Sequence, residues 1–169
     1  MADSVGYFAA AQPQDLIELR LLVELAAVRE LADRGLRDEE VAATRQQADA
    51  TMQSARCRDV RGYLDADMAF HTYLLGLTGD PALLRIARLL LSRTLSQGLR
   101  GEDSGQLMAA GASDHAELVS MLADELASQA SDLLRQHVAR SGAGQPAPVP
   151  TWTGQNQSVV ARAVTWPIE

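Results

Sequence analysis

Every histidine in this chain falls on the apolar stripe of a helix. There are only three in 169 residues. His71 closes the run Asp67-Met-Ala-Phe-His71, so it lies one helical turn beyond Asp67 and on the same face. His115 shares a 3.6-residue stripe with Leu118, Val119 and Leu122, and His137 shares one with Leu126, Ala130, Leu133 and Leu134. Imidazoles and a carboxylate turned toward a core are costly unless they are neutralised, paired or bound to a cation. The chain must therefore fold so that these four side chains find partners inside it. A divalent metal held within a helical bundle meets that demand.

Three His and one Asp suit zinc first and also nickel, cobalt or manganese, because imidazole and carboxylate are borderline-to-hard ligands. On a six-coordinate ion such a set leaves two positions for water or a chelating organic acid. Two plainer readings compete. Asp67 and His71 alone make a helix-surface ion pair worth only tenths of a kcal/mol. A bundle with three satisfied core histidines and no ligand at all would place them on the same stripes.

The rest of the chain reads as packed helices. Hydrophobic residues make up 47% of it and aromatics only 4%. That balance favours Ala/Leu helices over sheet. A first helix is expected from Gln14 to Arg34, apolar on nearly every side and stopped by Gly35; it is central, or buried against a second subunit. A second runs from an Asp38 cap to about Met52 and is polar enough to lie outside. A third follows Asp59 to Gly79, with an inward stripe of Val60, Tyr63, Leu64, Asp67, Met68, His71, Leu74 and Leu75. Asp80-Pro81 opens a Leu-rich fourth, ending near Gly98. After a loop over 98–105 come a short helix at Gln106–Ala110, a helix from His115 to Ala123 capped by Ser113 or Asp114, and a last one reaching Arg140. Gly142, Gly144, Pro146, Pro148 and Pro150 then forbid regular helix. The expectation is an all-α antiparallel bundle of six or seven helices over 14–141, with a lead-in at 1–13 and an irregular tail at 142–169 that drapes over the domain through Trp152 and Trp166.

Composition also excludes some functions. The net charge is −7 and no basic block or face stands out, so these residues are not expected to bind nucleic acid by themselves. Cys57 is the sole cysteine, which rules out an intrachain disulfide and a thiolate cluster and fits a reducing cytoplasm. No signal peptide is visible, and no run approaches the roughly 18 apolar residues that span a bilayer.

Several short motifs, taken in order, resemble the FCD domain, the effector-binding domain of GntR-type bacterial transcription regulators. Arg20-Leu-Leu-Val-Glu24-Leu-Ala-Ala-Val-Arg-Glu-Leu-Ala is similar to that family's first helix. Asp67-x-x-Phe70-His71 follows, then Leu77-Thr-Gly-Asp80-Pro-Ala-Leu, with Asp80 where the family commonly has Asn. Asp114-His115-x-Glu-Leu-Val and His137 close the series. The resemblance implies a helical bundle, often dimeric, that holds a metal with Asp67, His71, His115 and His137 and binds a small carboxylate effector beside it. It also places Arg20 at the effector cavity, where its fork suits a carboxylate; an intrahelical Arg20–Glu24 pair is the competing role. Arg93 is a further candidate for the cavity. DNA would be reached only through a winged-helix domain, which these residues do not include. The first and fourth helices are the expected homodimer surfaces.

An enzyme is the alternative: a metal-dependent hydrolase using metal-bound water. Against it, the polar core groups are consumed as ligands. Glu24 and Glu117 are not singled out as bases by any spacing, and Ser92 and Cys57 lack a spare His to activate them. The expected function is therefore ligand sensing, without catalysis.

Overall fold

The computed structural model describes residues 13–94, 99 and 103–142, and among these there are six helices and no strand. They are α1 (Pro13–Arg34), α2 (Asp38–Arg56), α3 (Val60–Gly76), α4 (Pro81–Thr94), α5 (Ser104–Ala123) and α6 (Ala127–Gly142). The expected all-α bundle is what forms. Apart from Pro13 and Gly142, the expected lead-in and tail, with Trp152 and Trp166, lie outside the described residues. No helix among the described residues is long and apolar enough to cross a membrane.

The helices pack as a ring in the order α1, α4, α3, α2, α5, α6 and back to α1, while α1, α3 and α5 also touch one another across its middle. Short connections make hairpins of α2–α3, α3–α4 and α5–α6. Gly35, at φ +71°, ends α1 in a conformation that costs glycine nothing. The turn that follows is clamped by Arg34, whose fork donates to both oxygens of Glu40 at 3.0 and 3.1 Å and to the Leu77 carbonyl at 3.2 Å. Hydrogen bonds from the Arg34 side chain and the Arg37 backbone hold the Glu40 carboxyl down at about 2.

Four local expectations need correction. Asp38 is the first residue of α2 and not its cap. Glu40 reaches back instead, accepting the Arg37 backbone N–H at 3.0 Å. Helix α2 runs on to Arg56 and is not simply external: Thr44, Ala48, Thr51 and Ala55 form a narrow buried stripe of small side chains against α3 and α5. The two helices expected around 106–123 are one, which begins at Ser104 inside the expected loop. Asp114, read as a possible cap, is a packing residue in the middle of it, as is Gly111. Val60, expected to point inward, is exposed at the start of α3, where the Asp59 carboxylate accepts the Gly62 N–H at 2.9 Å.

The core explains why α1 is so apolar. Ile17, Leu25, Val28, Leu31 and Ala32 join Phe70, Leu74, Leu118, Leu122 and Leu134 in the largest cluster, and Ala27 meets Leu75, Ala87 and Leu91 in a second. One face is left over. Leu19 and Leu22 on α1 are 41% and 49% exposed, and Ile86 on the adjoining α4 is 50% exposed.

Candidate metal centre

Within the ring, between the apolar clusters, lies a knot of buried polar side chains. Helix α1 supplies Arg20 and Glu24, α2 Thr51, α3 Asp67 and His71, α5 His115 and α6 His137; each is at most 4% exposed. Asp67, His71, His115 and His137 each offer a ligand atom within 4.8 Å of the others. The Nε2 atom of His137 is 3.2 Å from Nε2 of His71 and 3.3 Å from Nε2 of His115. Asp67 Oδ1 is 3.4 Å from His115 Nε2, and its Oδ2 is 3.8 Å from His71 Nε2. Phe70, one residue before His71, stacks on the His115 ring at 4.0 Å and meets the His71 ring edge-on at 5.4 Å, fixing both planes.

The far nitrogen of each ring decides where its proton sits. His71 Nδ1 is 2.9 Å from Glu24 Oε2, and His137 Nδ1 is 3.1 Å from Asp114 Oδ2. Glu24 is firmly ionised: burial works to raise its carboxyl, but Arg20 and His71 outweigh that and leave it well below the usual carboxylate range. A carboxylate only accepts, so Nδ1 carries the hydrogen in the His137 ring; in the His71 ring the Glu24 charge at 2.9 Å draws it to Nδ1, although no directed hydrogen bond is formed there. His115 Nδ1 lies 3.2 Å from Thr51 Oγ1, and the Thr51 hydroxyl already donates to the Ala48 carbonyl at 2.7 Å. Having spent its one hydrogen, Thr51 accepts from His115 Nδ1. Arg20 Nη2, which can only donate, approaches His71 Nε2 at 3.1 Å and agrees with the same tautomer.

The Nε2 atoms of His115 and His137 therefore present bare lone pairs to one point, and that of His71 faces it while accepting from Arg20 Nη2. Burial is the main force holding the His115 ring well below its ordinary 6.5, with His137 and His71 adding to it; burial also lowers His137 against the Asp114 bond. Neither ring readily takes a proton to relieve the crowding. Asp67 Oδ2, buried at the same point, has no hydrogen-bond partner. Arg20 offsets Glu24 and Arg140 offsets Asp114, which it contacts directly, but the Asp67 charge has no such cation. Two bare imidazole lone pairs, a third shared with Arg20, an orphaned carboxylate oxygen and one uncompensated negative charge are what a divalent cation would satisfy. Second partners on each imidazole are also what metal-bound histidines normally have.

The family model of the FCD domain matches residues 15–140. This chain belongs to the FCD domain family. Among solved structures it is similar to Lar, which controls the expression of the Listeria monocytogenes agr system and mediates virulence, at 16% identity and a TM-score of 0.66. The likeness covers 76% of this chain and 60% of that one, so the present chain spans well under the full length of that relative. At that identity it carries the fold. No curated protein matches the chain.

Within this FCD domain, the structure brings together Asp67, His71, His115, His137 and Arg20. Of the two roles weighed for Arg20, the intrahelical pair is present, its Nε donating to Glu24 Oε1 at 2.5 Å, and its Nη2 reaches His71. Arg93 is half-buried in the last turn of α4, and its neighbour Thr94 places Oγ1 3.4 Å from Arg20 Nη1. Four contributors were not foreseen in their roles. Glu24 was visible as the i+4 partner of Arg20 but not as a partner of His71. Asp114 has the sequence signature of a cap. Thr51 sits on a helix whose polarity hides its buried stripe. Tyr63, whose hydroxyl bonds Asp67, is kept protonated by burial above all and then by that carboxylate; only its inward spacing hinted at it.

Proposed function

We propose that this chain is the ligand-sensing domain of a transcription regulator, with residues 14–141 binding one divalent metal and one small organic acid. Asp67, His71, His115 and His137 are the proposed metal ligands, and zinc is the ion the donor set favours, with nickel, cobalt or manganese as substitutes. The observation that carries this reading is the convergence of three Nε2 atoms beside the Asp67 carboxylate, whose Oδ2 lacks any hydrogen-bond partner. Charge supports the second ligand. A divalent ion turns the single uncompensated negative charge into a single positive one, and one carboxylate group balances it. Arg20, at the edge of the cluster, is the proposed second hold on that acid, and Arg93 the proposed third.

Sensing is favoured over catalysis because the buried carboxylates are already engaged. Glu24 holds Arg20 and His71, and Asp114 holds His137 and Arg140. No general base is left over among these groups to work on a bound water. The same reading has the domain acting in the cytoplasm as a homodimer through the exposed Leu19, Leu22 and Ile86 face, and reaching DNA only through an attached winged-helix domain. The acid would act by binding one arrangement of the helices better than another.

A thermal-shift panel of small mono-, di- and tricarboxylates on zinc-loaded protein tests the proposal. An acid present at about 100 times its Kd should stabilise the domain by about 2.7 kcal/mol. The same acid should act weakly or not at all on Arg20→Met. No response from any acid, or turnover of ester or amide substrates, would overturn the sensor reading.

A further inference from the structure

Glu24 differs from the other groups that hold the imidazoles. Its two oxygens have different tasks. Oε1 takes the Arg20 Nε hydrogen at 2.5 Å, and Oε2 faces His71 Nδ1 at 2.9 Å. Asp114, by contrast, uses a single oxygen, Oδ2, for both His137 and Arg140. Thr51 faces His115 alone. Arg20, Glu24 and His71 also close a triangle, because Arg20 Nη2 returns to His71 Nε2 at 3.1 Å.

We infer that Glu24 is a positioning residue that locks His71 in the tautomer able to bind metal and couples the acid-binding arginine to the ion. The inference rests on the metal reading above. The lock works through the split carboxylate. Arg20 Nε–H is a cationic donor and must be met by an oxygen. With a carboxylate, an oxygen remains for His71 and keeps its hydrogen on Nδ1. With an amide at this position, the single oxygen goes to Arg20 and the NH2 group faces His71 Nδ1. The ring must then accept at Nδ1 and carry its hydrogen on Nε2, the atom the ion needs. That hydrogen would point into the cluster, where His137 Nε2 waits 3.2 Å away, and would turn Arg20 Nη2 aside from its 3.1 Å contact. Coupling follows from the same contacts. An acid drawing on the Arg20 charge leaves more of the Glu24 charge for His71, which strengthens its donation to the ion; by linkage, the ion must favour the acid to the same degree.

Metal affinity and tautomer test this together. In the wild type, 15N-imidazole correlation spectra should show His71 protonated on Nδ1. Titration with cobalt, followed by its visible spectrum, should give a Kd that Glu24→Gln weakens by about 10–100-fold, the range usual for partners of metal-bound histidines. In that variant the His71 hydrogen should move to Nε2. Asp114→Asn should be milder, because its one oxygen can still serve both partners. Adding Arg20→Met to Glu24→Gln should recover part of the affinity, because the amide oxygen is then free to turn to His71. A merely structural role for Glu24 predicts the opposite, since the double variant would be worse than either single one. A wild-type His71 protonated on Nε2 would overturn the inference even if the variants failed to fold. So would Glu24→Gln binding within about threefold of wild type, since such partners usually count for tenfold or more. Wild-type protein that takes up no cobalt would instead sink the metal reading, while the spectra still decided the tautomer.

Discussion

Gly111 is the residue at which one methyl group should do the most damage. It sits in the middle of α5, where glycine costs about 1 kcal/mol relative to alanine. On propensity alone, Gly111→Ala should stabilise the protein. The packing argues otherwise. A Cβ at Gly111 would lie 2.2 Å from the Tyr63 hydroxyl, 3.5 Å from Tyr63 Cζ and 3.6 Å from His137 Cε1. Tyr63 is only 5% exposed, so its ring has little room to withdraw. Overpacking of this kind costs about 1–3 kcal/mol. Pushing the hydroxyl off Asp67 costs about 1 kcal/mol more. With the propensity gain subtracted, the variant should lose about 1–3 kcal/mol. At roughly 2–5 °C per kcal/mol for a domain of this size, Tm should fall by about 2–15 °C. The double variant Tyr63→Phe/Gly111→Ala isolates the cause. Without the hydroxyl, the nearest ring atom stands at an ordinary 3.5 Å. The two substitutions should therefore offset each other by about 1–3 kcal/mol in a double-mutant cycle. Thermal and urea melts of the four proteins under one buffer measure it. Gly111→Ala at least as stable as wild type, or a cycle with no coupling, would refute the close approach.

Three further outcomes follow from the same contacts. In chelator, stability should be full above pH 6.5 and fall as the pH drops. The unfolded chain then takes up protons that buried His115 and His137, both held below their ordinary 6.5, refuse; each contributes up to about 1.4 kcal/mol per pH unit. Depression of the Glu24 carboxyl adds a further loss below its ordinary 4.5; urea melts flat from pH 8 to pH 5 would contradict the histidine contribution, and melts no steeper below pH 4.5 would contradict that of Glu24. Thr51→Val should weaken metal binding about tenfold, while Thr51→Ser, which keeps the acceptor, should stay near wild type; equal affinities by cobalt titration would show that His115 needs no such partner. Leu22→Glu with Ile86→Glu should turn the dimer into a monomer by light scattering without unfolding it, and a wild type that is already monomeric at tens of micromolar would dismiss that face as an interface.

The cluster was legible in the sequence because helical periodicity is a local signal that survives folding. Asp67 and His71 are one turn apart, and each remaining histidine shares its stripe with leucines. Direction toward the core could therefore be read for each helix separately, and the resemblance put the three helices together. What failed was information carried only by contacts between helices. Gly111 lies in the gap between the two helices expected at Gln106–Ala110 and His115–Ala123, yet it is there to admit the Tyr63 hydroxyl from α3. Asp114 looks like a cap because Ser-Asp before His115 has that local pattern, whereas its partners, His137 and Arg140, lie on α6. Thr51 belongs to a helix whose exposed faces set its average polarity and conceal one threonine-alanine stripe. The apolar α1, read as central or buried against a second subunit, takes a place in the ring with most of its apolar side chains in the core, and Leu19 and Leu22 stand on the outside.

The most direct test of the metal centre is metal content. Untagged protein reconstituted with zinc, freed of loose ion by desalting and assayed by elemental analysis, should hold about one equivalent per chain, with His137→Ala holding almost none. Less than about a tenth of an equivalent in the wild type, or full retention in His137→Ala, would contradict a centre built from these four ligands.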